Sequence, residues 1–434
     1  MRDLAVESPA IQIVSGDPVQ SYRAWRSRLL PDRESLLCVQ FALSARWLES
    51  APDISLTALY LWRAGALEIA VVNGHPAAGV TSGGLQFDDW VSQQGAFVAR
   101  EGRPLPLLPL HIEKPWGREI WFNGVERRGV CEFGVGGSRT PQPWLLAVLP
   151  GEEPRDACPP PPLLKILEPS PLPVIGDLYF EMHDVKQEVY VVTHIDRRAW
   201  PAGTGYLRFG FCPHRLAASD DEAGFRQSYL RAVSAYRLVR EQLDALPAGA
   251  AVDPSLAARE ASLRARMNDF TWLKPLQVGD VIEVPQRLPH ALQHGVRVVE
   301  FQTPVFERKI LSFAQQVHTQ AHWDTAEAVG DMRLLPPPGK AVELLSDEDG
   351  VKVERVADTP EFEVRRLHLA PGAGFTLGPL DGQAIAIVLQ GRGGFAGCDL
   401  GPEQAARLPA GWGGEVVVPE SAQRLVFLLA LVRP

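Results

Sequence analysis

Two segments that each begin with Gly-Asp constrain the possible fold of this chain more than any other sequence feature. The first runs from Gly176 to His194 and reads GDLYFEMHDVKQEVYVVTH, and the second runs from Gly279 to His294 and reads GDVIEVPQRLPHALQH. Both are rich in β-branched and aromatic residues, as half-buried strands are. They also contain residue types that bind metal ions, namely Glu181, His183, Glu188 and His290. The sequence therefore predicts one metal site built from two separate strand segments.

The spacing of these residues sets their expected geometry. Side chains two residues apart on a strand point to the same face, so we expect Glu181 and His183 to face a barrel interior together. Glu188 has the opposite parity, which requires a turn or bulge through residues 184–187. His290 follows the turn-forming run Pro-Gln-Arg-Leu-Pro, which delivers it at the start of the next strand. Two imidazoles and two carboxylates suit zinc, manganese, iron(II) or nickel, and the residue types alone do not choose among these ions.

The two segments resemble the two sequence motifs of the cupin superfamily. The first motif usually reads G-x5-H-x-H-x3,4-E-x6-G, and the spacing from Gly176 to Glu188 is similar, with Glu181 where the first histidine stands. The second segment is similar to the second motif, with Arg287 in place of the usual glycine and His294 in place of the final asparagine.

Within the cupins, the chain resembles the type I mannose-6-phosphate isomerases. Members of that family bind zinc through Gln-x-His, a glutamate in a Lys-x-Glu triplet and a later histidine. The matching places here hold Glu181, His183, Glu188 and His290, so Glu181 departs from the family glutamine. The resemblance implies one divalent ion, with zinc expected first. Because the extra carboxylate would make the ion a poorer Lewis acid, manganese and iron(II) stay open.

The resemblance also implies which cationic side chains meet the substrate. Lys186 matches a family lysine that is a candidate for proton transfer, and burial beside a metal ion can lower a lysine pKa towards neutrality. The alternative is that Lys186 only pairs with the carboxylates. Arg308 falls where a family arginine faces the substrate, with Lys309 as the alternative because the spacing here is shorter. Lys114 and Arg118 are candidates for binding a phosphate, with solvated surface charge as the alternative.

Two further side chains near the motifs have predicted orientations. His294 is expected either to orient a metal ligand from outside or to be paired at the surface. Lys165 alternates with Leu164 and Ile166 along a strand, and we expect it to point outward.

The strand and helix patterns predict a mainly β fold, and the resemblance implies two cupin domains, each a double-stranded β-helix or jelly roll. Residues 1–108 form an N-terminal α+β or β-rich extension, residues 109–334 the metal-binding cupin domain, and residues 341–434 a C-terminal cupin-like domain without metal ligands. Three- and four-residue apolar spacing predicts a helical insertion at about 219–274, with one helix over 220–246 and a second from Asp253-Pro254 to about Leu273. The insertion is expected to be a lid or wall.

Composition narrows the range of partners. The chain has 434 residues, of which 46% are hydrophobic and 22% charged, with a net charge of -9. An acidic chain without a lysine-arginine cluster argues against nucleic acid as a partner. We also expect no membrane association and a cytoplasmic location, because the N-terminus lacks the apolar core of a signal peptide. The sequence gives no prediction of the oligomeric state.

The predicted function is a metal-dependent aldose-ketose isomerase that acts on a small sugar phosphate. The reaction implied by the resemblance is mannose-6-phosphate to fructose-6-phosphate through an enediol. Glu181 leaves two alternatives open: another cupin metalloenzyme, such as an iron-dependent oxygenase or an epimerase, and a non-catalytic sugar-binding cupin.

Overall fold

The computed structural model describes residues 11–48, 51–75, 83–151, 160–247 and 249–433. Two compact units divide the chain. The first comprises residues 1–110, 121–161 and 343–434, and the second comprises residues 111–120 and 162–342. Among the described residues, the helices are all too short or too polar to cross a bilayer.

The N-terminal part of the first unit is a five-stranded sheet with two helices. The apolar runs of its central strands are buried, and a helix packs on them through Phe87 and Trp90. The strand order is β1-β2-β3-β4-β5. The elements are β1 (Ile11–Ser15), α1 (Pro18–Arg26), β2 (Ser35–Leu43), β3 (Ile54–Arg63), β4 (Ala66–Asn73), α2 (Gly83–Gln94) and β5 (Ala99–Arg100).

The next stretch of chain supplies strands to both units. β6, β11 and β12 belong to the first unit, whereas most of β7 and most of β8 belong to the second. The elements are β6 (Leu105–Leu108), β7 (Leu110–Lys114), β8 (Gly117–Trp121), β9 (Val125–Glu126), β10 (Gly129–Val130), β11 (Glu132–Val135), β12 (Ser138–Pro141) and α3 (Gln142–Leu146).

The second unit contains both Gly-Asp segments. Its elements are β13 (Leu163–Pro169), β14 (Phe180–Met182), β15 (Glu188–Ile195), β16 (Gly205–Phe211), α4 (Pro213–Ala217), α5 (Glu222–Asp244), α6 (Pro254–Asn268), β17 (Thr271–Leu276), β18 (Val281–Val284), β19 (His290–Leu292), β20 (Val296–Gln302), β21 (Lys309–Ser312) and α7 (Thr325–Ala328). They form a six-stranded sheet, β18-β15-β20-β13-β8-β7, and a five-stranded sheet, β17-β16-β19-β14-β21. Buried side chains from both sheets share one apolar cluster, so the sheets pack face to face as a jelly roll.

The helical insertion covers the outer face of the five-stranded sheet. Asp221 and Asp253 cap α5 and α6 through their side chains. The predicted apolar positions of α5, including Phe225, Tyr229 and Tyr236, are buried against sheet residues. The predicted end of the second helix near Leu273 is wrong. α6 ends at Asn268, and Thr271–Leu276 forms an edge strand that pairs with β16.

The C-terminal part of the first unit is a second jelly roll. Its elements are β22 (Glu343–Glu348), β23 (Val351–Asp358), β24 (Phe362–Leu369), β25 (Gly374–Leu377), β26 (Ala384–Gln390), β27 (Gly393–Phe395), β28 (Cys398–Leu400), β29 (Ala405–Leu408), β30 (Gly414–Val417) and β31 (Leu425–Val432). A nine-stranded sheet, β12-β11-β6-β29-β26-β31-β24-β23-β22, packs on a four-stranded sheet, β25-β30-β27-β28, over an apolar core.

The grouping of segments differs from the predicted boundaries at 108 and 341. β6 pairs with β29, so residues from the predicted N-terminal extension and from the predicted C-terminal domain share one sheet. The independence of the predicted domains therefore stays a prediction.

Candidate metal centre

The four predicted ligands lie at one end of the second unit's jelly roll. Glu181 on β14 stands directly opposite His290 on β19, and antiparallel partners of this kind point to the same face. The neighbours of Glu181, Phe180 and Met182, pack towards the helices, which turns Glu181 to the other side of the sheet. β14 ends before His183 and β15 begins at Glu188, so the turn predicted through residues 184–187 is confirmed.

The distances bring all four side chains together. Ligand-type atoms of Glu181, His183 and His290 lie within 4.8 Å of one another. Glu188 lies between the two histidines, with Oε1 3.4 Å from His183 Nε2 and Oε2 3.1 Å from His290 Nε2. The two imidazole centroids are 5.4 Å apart. One ion is therefore within reach of residues from both Gly-Asp segments.

The hydrogen bonds of the two imidazoles suit a metal ion. His183 Nδ1 is 2.8 Å from the carbonyl oxygen of Glu307, and His290 Nδ1 is 3.1 Å from that of Leu288. Because a carbonyl only accepts, each Nδ1 donates, which leaves the Nε2 of each ring facing the cluster. Within the described ranges, His183 Nε2 and Glu181 Oε2 are buried without a hydrogen-bond partner. Two buried atoms of ligand type that face the same cluster without a hydrogen bond of their own fit a bound cation.

Glu188 is also held by two neighbours on its own segment. Lys186 Nζ lies 2.5 Å from Oε1, and the Tyr190 hydroxyl donates to Oε2 at 3.2 Å. Burial opposes the charge on each partner of the ion pair, but their mutual attraction prevails. The pKa of Glu188 is therefore well below its usual value, and the pKa of Lys186 is raised. Glu188, Glu300 and Glu181 all stabilise the ammonium. A Lys186 pKa lowered beside a bound metal ion stays a prediction.

Three polar residues that were not predicted as part of the site extend this buried cluster. Lys165 Nζ donates to Gln302 Oε1 at 2.7 Å and lies 3.9 Å from Glu300 Oε2. The predicted outward orientation of Lys165 is therefore wrong: Lys165 pairs with Glu300 across the strands and shares its face with it. Burial, together with the nearby Glu188 charge, raises the pKa of Glu300 to about 8. The strand parity of Glu300 and Gln302 was the sequence signal that could have found this cluster.

Arg308 is the predicted substrate residue that lies beside the ligand group. Its Nη1 is 3.6 Å from Glu181 Oε2, its Nη2 donates to Thr319, and its guanidinium covers the Tyr179 ring at 4.9 Å. Lys309 Nζ instead contacts Asp184 at 2.7 Å and Glu327 at 3.6 Å. Arg308 therefore lies beside Glu181, and the choice between Arg308 and Lys309 as the substrate-facing residue stays a prediction.

The structure does not bring the other predicted side chains to this cluster. Arg118 forms an ion pair with Glu168 at 2.7 Å, near the end of β13. Gln302 pairs with Leu163, at the start of the same strand. Lys114 contacts Glu119 at 3.1 Å within the β7-β8 hairpin. In the sheet, β20 and β13 lie between this hairpin and β15, the strand that begins with Glu188. Their phosphate-binding roles stay predictions.

His294 lies outside the ligand group. Its Nδ1 is 2.7 Å from Asp177 Oδ1, and its ring stacks on Trp200 at 4.6 Å. These contacts favour the alternative of a paired histidine, and a direct role in orienting a ligand stays a prediction.

Comparisons with known proteins support the fold. No protein-family model and no curated protein sequence match the chain. The chain is similar to the mannose 6-phosphate isomerase from Bacillus subtilis, with a TM-score of 0.51 and 13% identity over 75% of this chain and 99% of that chain. It is also similar to a mutant phosphomannose isomerase from Salmonella typhimurium, with a TM-score of 0.52 and 12% identity over 76% of this chain and 100% of that chain.

A third similar structure is a zinc-bound mannose 6-phosphate isomerase, with a TM-score of 0.51 and 11% identity over 76% of this chain and 100% of that chain. Identities this low establish the fold alone. The prediction of a mainly β, cupin-like fold is confirmed.

Proposed function

We propose that this protein is a metal-dependent aldose-ketose isomerase that acts on a sugar phosphate. The observation that carries the proposal is the convergence of two buried imidazoles, through their Nε2 atoms, on carboxylates that adjoin Lys186 and Arg308. The cupin-like fold, which similar mannose 6-phosphate isomerases share, supports it. Mannose-6-phosphate and fructose-6-phosphate are the substrate pair expected first.

Glu181, His183, Glu188 and His290 would hold one divalent ion, with zinc expected first and manganese or iron(II) as alternatives. When bound, the ion supplies a Lewis acid that polarises a carbonyl or hydroxyl oxygen of the sugar. The carbonyl partners of both Nδ1 atoms keep the rings turned so that Nε2 faces this position.

Lys186 would hold the proton that the reaction needs. Isomerisation moves a proton between neighbouring carbons through an enediol, which requires groups that donate and accept protons close to the sugar. The ammonium of Lys186 is buried and oriented by Glu188 Oε1. It would donate from Nζ to a sugar oxygen while a carboxylate of the same cluster accepts the proton that leaves carbon.

Arg308 would bind the phosphate. Its planar guanidinium can donate two parallel hydrogen bonds to phosphate oxygens. Because Arg308 now lies 3.6 Å from Glu181, an incoming phosphate competes with that carboxylate for the guanidinium. Lys309, Lys114 and Arg118 stay predicted substrate residues.

A coupled assay with fructose-6-phosphate and mannose-6-phosphate tests the proposal. We expect turnover that disappears after chelation and returns with one of zinc, manganese or iron(II), because the ion polarises the reacting oxygen. Unphosphorylated mannose is the matched control, and it should be a poorer substrate if Arg308 binds phosphate. A protein that binds metal but turns over no hexose or pentose phosphate would refute the isomerase. Oxygen consumption with iron(II) would then favour the oxygenase, and sugar binding alone would favour the binding protein.

A further inference from the structure

A five-residue segment leads from His183 to Glu188, which are two of the proposed metal ligands. Glu307 holds the backbone of this segment in place. Residues 183–187 connect β14 to β15 and carry His183 at their start. The carboxylate of Glu307 accepts the backbone N–H of Asp184 at 3.0 Å and that of Val185 at 3.2 Å. Hydrogen bonds of backbone N–H groups to a carboxylate are stronger than those to a neutral acceptor.

The same residue also fixes the His183 ring. The carbonyl oxygen of Glu307 receives the hydrogen bond of His183 Nδ1 at 2.8 Å. Glu307 thus sets the backbone that follows His183 with its side chain and the rotation of the imidazole with its main chain. Both contacts orient His183 Nε2 towards the candidate metal position. This atom is buried without a hydrogen-bond partner among the described residues.

The other backbone hydrogen bonds of this segment have neutral partners, whereas the side chains of Asp184 and Lys186 form ion pairs with Lys309 and Glu188. The N–H of Arg287 donates to the His183 carbonyl at 2.7 Å, the amide of Gln286 donates to the Val185 carbonyl at 2.7 Å, and Thr303 Oγ1 accepts the N–H of Gln187 at 3.1 Å. Glu307 therefore supplies the charged acceptor for the backbone of this segment.

We infer that Glu307 is a positioning residue that orients His183 for metal binding. This role rests on the proposed function, since it concerns a ligand of the proposed ion. Outer partners that orient metal-binding histidines typically change metal affinity by about 10- to 100-fold when they are removed. The carboxylate of Glu307 acts on His183 through the Asp184 and Val185 amides, so its loss should weaken metal binding while the barrel still folds.

The test compares wild type, Glu307→Gln and Glu307→Ala. The measurements are zinc affinity by chelator competition, the visible spectrum of the cobalt(II)-substituted protein, and the unfolding temperature of the metal-free protein. Gln keeps the size and one acceptor oxygen, so Glu307→Gln should fold even where Glu307→Ala does not. The matched control is Glu241→Gln, which removes the same charge from an exposed pair with Arg237 on α5.

We expect both Glu307 variants to bind zinc about 10- to 100-fold more weakly and to alter the cobalt spectrum, while Glu241→Gln matches wild type. If Glu307→Gln binds zinc within about two-fold of wild type, the inference is overturned, including when its metal-free unfolding temperature falls. If wild type itself binds no divalent ion, the metal site of the proposed function fails, and the positioning role fails with it.

Discussion

Replacing His183 or His290 with alanine should abolish bound metal and lower kcat/KM for mannose-6-phosphate by about 10³-fold or more. The Lewis acid contributes several kcal/mol to the transition state, and each 1.4 kcal/mol corresponds to a factor of about ten in rate. Each imidazole contributes a buried Nε2 to the same position, so loss of either leaves an incomplete site. The measurements are metal content per chain and steady-state kinetics in the coupled assay.

The double variant sharpens this test. Residues that act as one unit are not additive, so His183→Ala with His290→Ala should be little worse than either single change. His194→Ala is the matched control, because His194 is an exposed histidine on β15, the strand that begins with Glu188. Normal kinetics in either single ligand variant would contradict the shared site.

Lys186→Ala should cause two losses that can be separated. Breaking a buried ion pair leaves an uncompensated charge, here Glu188, and typically costs about 3–5 kcal/mol of stability. Loss of a positioned proton donor typically lowers the rate by about 10²- to 10⁴-fold. Denaturant unfolding of the metal-free protein measures the first loss, and kcat in the coupled assay measures the second.

A second variant separates charge burial from chemistry. Adding Glu188→Gln to Lys186→Ala removes the uncompensated carboxylate, so stability should partly recover while activity does not. Lys352→Ala is the control, because Lys352 pairs with Glu354 at 2.6 Å from a more exposed position, and surface pairs contribute about 0–1 kcal/mol. Full activity of Lys186→Ala would exclude Lys186 as the proton donor, whatever its stability.

The sequence predicted the parts of the site that local spacing controls. The order Glu181-x-His183, the turn before Glu188 and the start of β19 at His290 all follow from strand parity and turn residues, and the structure agrees. The helix start at Asp253-Pro254 was equally local, since it depends on a capping side chain, and the first helix, predicted from residue 220, is capped by Asp221.

The errors come from contacts that local spacing does not encode. Lys165 does alternate with Leu164 and Ile166. Because both faces of β13 carry buried apolar residues, the apolar pattern does not show which face points into the jelly roll. The strand at Thr271–Leu276 follows a capped helix end and is held by pairing with β16, more than 50 residues earlier. Glu307 meets the His183 segment across more than 120 residues of sequence and has no local motif.

The central claim is that one divalent ion is bound jointly by Glu181, His183, Glu188 and His290. Anomalous diffraction from crystals of the protein as purified, recorded on both sides of the absorption edge of the metal found by elemental analysis, tests this most directly. The account predicts a single anomalous peak at about 2.0–2.2 Å from His183 Nε2 and His290 Nε2, with carboxylate oxygens completing the site. An ion bound elsewhere, or imidazoles that share no ion in metal-loaded crystals, would contradict it.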